Sequence, residues 1–106
     1  MAGAGADVVG AHVGLTSGGL IGAEEVPALD EACKATQRMV EAAVGARGDV
    51  LVVAHGGPFE DPESVRVAFE RTDVHGYLGA SSIERLPVER AVAEIVRAFK
   101  SLPVRP

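Results

Sequence analysis

The run Asp49-Val50-Leu51-Val52-Val53-Ala54-His55 limits the fold more than any other segment. Its interior is continuously apolar and does not alternate. Such continuity marks a parallel strand covered on both faces. Parallel strands need a crossover connection, usually a helix. The residues that follow supply one. Gly56-Gly57-Pro58-Phe59-Glu60 reads as a loop, Asp61 as a helix N-cap and Pro62 as the first helical residue. Val65, Ala68, Phe69 and Thr72 fall on one face of that helix and form its expected buried stripe.

The same order recurs on either side. Asp7-Val8-Val9-Gly10-Ala11-His12-Val13 reads as a strand, and a glycine-rich loop follows it. A helix is expected over residues 29–44, with Leu29, Cys33, Thr36, Val40 and Val44 on one face and Gly45 and Gly48 as stop signals. Val74-His75-Gly76-Tyr77-Leu78-Gly79 reads as a third strand and residues 80–86 as its loop. Pro87 then starts a helix whose apolar face is Val88, Ala91, Val92, Ile95 and Phe99. The fold class is therefore α/β, with three consecutive βα units over residues 6–46, 49–72 and 74–102 of one partial domain, 1–106.

Composition excludes several function classes. Hydrophobic residues make up 47% of the 106, which rules out a disordered chain. The net charge is −5, aromatics are 4% and no basic stripe is present, so no nucleic-acid partner is expected. No run of about 18 apolar residues occurs, so no membrane partner is expected either. The first 23 residues lack a basic n-region and do not read as a signal peptide. Cys33 is the lone cysteine, which excludes an internal disulfide and suits a reducing compartment; the expected location is the cytoplasm.

In parallel βα folds the ligand lies beyond the carboxyl ends of the strands. Those ends carry His12 and His55, which follow similar runs at matching positions, and the loop residues Gly14, Thr16, Gly56, Gly57, Gly79, Ala80, Ser81 and Ser82. Each group has two readings. Glycine loops are turn devices first, but small residues also leave room for an anion held by backbone N–H groups and hydroxyls. A lone histidine is usually structural, whereas two on neighbouring strands, about 4.8 Å apart, can share a ligand and work as acid or base near neutral pH. Glu84 and Arg85 are either solvated charges or groups that position an anionic substrate and a water. His75 lies at the opposite end of its strand and reads as structural. Cys33 lies on the apolar stripe and reads as core. No spacing supports a metal site, and the residues identify no cofactor. Neither GxGxxG nor GxxxxGK[ST] is present, and no GxSxG surrounds Ser81 or Ser82.

Three segments carry a family resemblance. They are Ala11-His12-Val13-Gly14-Leu15-Thr16-Ser17-Gly18-Gly19-Leu20-Ile21-Gly22-Ala23, Ala54-His55-Gly56-Gly57-Pro58 and the longest, Gly76-Tyr77-Leu78-Gly79-Ala80-Ser81-Ser82-Ile83-Glu84-Arg85-Leu86-Pro87-Val88-Glu89-Arg90. In order and spacing they resemble the phosphoenolpyruvate hydrolase-like TIM-barrel family. The same domain is similar to the C-terminal part of tobamovirus-resistance-type proteins, which have an ATP-binding N-terminal region. Ile83 stands where the family pattern has Met. A whole barrel takes about 250 residues, so this chain resembles the C-terminal three-eighths of one.

The resemblance implies an enzyme acting on a small phosphorylated or carboxylated acid. The strand-end positions, read with it, make His12, His55 and Glu84 the catalytic candidates. Gly14, Thr16, Gly56, Gly57, Gly79, Ala80, Ser81, Ser82 and Arg85 would bind substrate. The alternative is a non-catalytic ligand- or partner-binding module, or an inactive barrel fragment. Three strands leave two unpaired edges and a bare inner face. The expected partner is therefore a second copy of the chain or the remainder of a barrel.

Overall fold

A computed structural model describes residues 1–15 and 28–105. The first strand, β1, is Val8–His12. Helix α1 is Leu29–Ala46, β2 is Leu51–His55 and α2 is Pro62–Arg71. Then come β3 at Gly76–Tyr77, a single turn α3 at Ser81–Glu84, and α4 at Leu86–Lys100. The strands form one parallel sheet in the order β1-β2-β3. Three parallel strands with their helices make a partial TIM-barrel-like fold.

The register explains the burial. Val9 pairs with Val52, Ala11 with Ala54, and His12 with His55. Side chains alternate across a strand, so one face of the sheet carries Val9, Ala11, Val52 and Ala54. That face meets the helices in two clusters. Ala11, Val40, Ala43, Val50 and Val52 form one; Ala32, Cys33, Ala54, Phe59, Val65 and Ala68 form the other. Phe59 and Ala54 are completely buried. The start of α2 follows its expected cap: the Ser64 amide donates to the Asp61 carboxylate at 2.8 Å, within a full capping box.

Three expectations about packing need correction. The middle strand is not covered on both faces, because Leu51 is 49% exposed on the side away from the helices. Val44 and Phe69 lie at the margins of their stripes and are exposed; Ala43 takes the buried place expected of Val44. The apolar face of α4 is uncovered, with Val88, Val92, Ile95 and Phe99 all more than half exposed. Its first residue, Leu86, is buried and anchors it. Beyond that turn, among the described residues, the helix faces only the two-residue β3 and no further strand flanks it. The chain is accordingly elongated, with a radius of gyration of 18.0 Å, against about 13 Å for a compact chain of this length.

Candidate functional site

The carboxyl ends of the three strands are tied together by backbone groups. The Val13 amide donates to the His55 carbonyl at 3.1 Å, and the Gly57 amide donates to the Gly14 carbonyl at 2.8 Å. The Leu78 amide donates to the Ala54 carbonyl at 3.0 Å. The clasp between the first two loops depends on glycine. Gly14, Gly56 and Gly57 all have positive φ. A Cβ on Gly56 would fall on the Gly14 carbonyl oxygen, and one on Gly57 would sit 2.8 Å from the Val13 carbonyl oxygen.

His12 and His55 are register partners at this end. Their ring centroids are 5.0 Å apart and the planes meet at 65°. Each ring is oriented through Nδ1. The Gly14 amide donates to His12 Nδ1 at 3.1 Å, and His55 Nδ1 donates to the Leu78 carbonyl at 2.7 Å. Both rings stand on the uncovered face of the sheet, His12 exposed and His55 half-buried.

The third loop is built differently. Tyr77 pairs with the buried Ala54, so its side chain lies on the helix-covered face, opposite the histidines. Its hydroxyl donates to the Phe59 carbonyl at 2.9 Å and lies 2.5 Å from Ser82 Oγ. Ser82 is thereby held on that side. A pocket of about 340 Å³ opens beside it, lined by Glu60, Asp61, Pro62, Val65, Tyr77, Ser82 and Ile83. Ser81 is half-buried and Ala80 exposed at the start of α3. Gly79 is a packing glycine, because a Cβ there would fall on Ile83 Cδ1. Glu84 is exposed, and Arg85 is paired with Glu89 at 3.1 Å in a half-buried bridge.

His12, His55, Gly14, Gly56 and Gly57 are thus in one place. Gly79, Ala80, Ser81, Ser82, Glu84 and Arg85 form a second group on the neighbouring loop. His55 joins the two through the Leu78 carbonyl. Thr16 lies outside the described residues. Tyr77 was not singled out in the sequence, although a tyrosine at a strand end next to a serine loop carries a hydroxyl that must find a partner if buried.

Other titratable groups have structural roles. His75 Nδ1 accepts from the Val52 amide at 3.0 Å, at the far end of the sheet. Burial pushes the Cys33 thiol above its ordinary value, against the pull of Arg71, so it is not poised as a thiolate nucleophile. The Ser64 amide holds the Asp61 carboxyl below its ordinary value. Among the described residues no three His, Cys, Asp or Glu side chains converge as metal ligands.

The family model described as phosphoenolpyruvate hydrolase-like matches residues 1–102. The chain belongs to this phosphoenolpyruvate hydrolase-like family. It is 45% identical over 103 residues, 96% of its length, to the ToMV susceptible protein tm-1(GCR26) of Solanum lycopersicum. It is equally similar to the ToMV resistance protein Tm-1(GCR237) of the same plant. It is 30% identical over 99 residues, 93% of its length, to the y4pA protein of Sinorhizobium fredii (strain NBRC 101917 / NGR234). The chain spans only 14% of each tomato protein and 16% of y4pA. Among the described residues no helix is long and apolar enough to cross a membrane.

Proposed function

We propose that this chain is a partial-barrel domain, residues 1–106, that contributes the anion-binding and acid–base side of an active site for a small phosphorylated or carboxylated acid. The observation that carries the reading is the meeting of His12 and His55, 5.0 Å apart, beside the Gly14–Gly57 clasp at the strand ends. Parallel βα sheets place ligands at this end, and TIM barrels often hold phosphate in the loops after their last two strands. On this reading the loops at Gly56-Gly57 and Gly79–Ser82 would be those two. Ser81 and the first amides of α3 supply donors, with Ser82 held against Tyr77, and Glu84 and the Glu89-bridged Arg85 position the substrate and a water. A substrate such as phosphoenolpyruvate fits the family's name.

The uncovered sheet face and the uncovered stripe of α4 favour a chain that works when covered, by a second copy or by the rest of a barrel. A lone buried thiol fits a cytoplasmic setting. The second reading is a binding module without turnover. It is favoured by relatives named for virus susceptibility and resistance. Calorimetric titration with phosphoenolpyruvate, followed by an assay for released phosphate, separates the two. Binding with phosphate release is expected. Binding without release favours the module. Absence of binding by the assembled protein overturns the substrate class.

A further inference from the structure

We propose that His12 and His55 form a donor–acceptor pair with opposite, backbone-imposed tautomers, His12 presenting an Nε2–H and His55 an Nε2 lone pair to one ligand. The argument starts from the groups on Nδ1. A backbone amide only donates. The Gly14 amide donates to His12 Nδ1, so that nitrogen carries no proton and the neutral ring carries it on Nε2. A carbonyl only accepts. His55 Nδ1 faces the Leu78 carbonyl at 2.7 Å, so it carries the proton and Nε2 of the neutral ring is bare. Neither Nε2 has a partner among the described residues. Register puts the two residues side by side, and the ring centroids are 5.0 Å apart.

Identical side chains thus have different chemistry. His12 gives a hydrogen bond to an oxygen and polarises it; His55 takes a proton. The ligand class follows. It offers an acceptor oxygen, such as a carboxylate or carbonyl, and beside it a donor, such as a hydroxyl or a bound water. A divalent metal is the wrong occupant, since coordination needs a lone pair that His12 Nε2 lacks. This deepens the reading of the strand ends as the ligand site, but the proton positions can be tested without any ligand.

The experiment is a long-range proton–nitrogen correlation spectrum of the nitrogen-15-labelled full chain, at about pH 9, where ordinary imidazoles are neutral. His12→Gln and His55→Gln variants assign the signals. His75, whose Nδ1 also accepts from an amide, is an internal reference for the Nε2–H form. Two Nε2–H rings, His12 and His75, and one Nδ1–H ring, His55, are expected. A His55 ring in the Nε2–H form, or one averaging between forms, overturns the proposal. Phosphoenolpyruvate is then added, with binding followed by calorimetry. A shift of the bare His55 Nε2 toward the protonated range supports the pair as the contact. Binding that leaves both rings unmoved overturns it. Failure to bind, with the tautomers as assigned, removes phosphoenolpyruvate as substrate and leaves the pair standing. Zinc held by both rings at micromolar concentration also overturns it.

Discussion

Replacing Gly56 with alanine tests whether the strand-end clasp organises the histidines. Gly56 has φ 78°, in the left-handed region that L side chains avoid. Holding an alanine there costs roughly 1–2 kcal/mol. The added Cβ also falls on the Gly14 carbonyl oxygen and comes within 3.5 Å of His12 Cε1. That oxygen is backbone and cannot swing aside. It is also the acceptor of the 2.8 Å bond from Gly57. Moving it loses a hydrogen bond worth about 1 kcal/mol net. The expected destabilisation is about 2–3 kcal/mol, which lowers the Tm by about 10–20 °C in a domain of this size. Gly45→Ala is the control. Gly45 lies inside α1, has an ordinary φ, and its Cβ would meet nothing within 4 Å. It should gain about 0.5 kcal/mol. Urea denaturation gives the stabilities, and histidine ring resonances report the site. A Gly56→Ala chain within about 0.5 kcal/mol of the parent, with His12 signals unmoved, would refute the clasp.

Asp61→Ala removes the α2 cap and should cost about 1 kcal/mol at pH 7 by urea denaturation. The folded carboxyl lies below its ordinary value of 3.8, so its stabilisation is present above that pH and fades as pH falls through the folded value; the gap between variant and parent should therefore narrow below about pH 4. Val92→Glu on the uncovered stripe of α4, where Val92 is 54% exposed, should shift the chain toward monomer in analytical ultracentrifugation. A parent chain already wholly monomeric at micromolar concentration, with no binding of hydrophobic dye, would contradict the expected self-association.

The local devices were legible because their physics is local. Asp61 and Pro62 cap and start α2 locally, and the β-branched apolar run Val50 to His55 forms the middle strand, paired in parallel along both edges. The matched positions of His12 and His55 were legible for the same reason: side-by-side placement follows from register once both strands are parallel. What covers a face was not legible. The stripe of Val88, Val92, Ile95 and Phe99 says that α4 is amphipathic, but not that it stands uncovered among the described residues. The third strand pairs with β2 only over Gly76–Tyr77, and the apolar run from Val74 to Leu78 does not reveal that length. The tautomers were hidden for a deeper reason. Nothing in the run Ala54-His55-Gly56 names Leu78 as the acceptor, because that contact exists only after β3 docks on β2 and brings its carbonyl to 2.7 Å from the ring. The chemistry that separates two identical side chains is therefore a property of the assembled sheet. The residue types announce that acid–base work is possible at the strand ends; the Gly14 amide fixes the Nδ1 of His12 locally, and the third strand, through the Leu78 carbonyl, fixes that of His55.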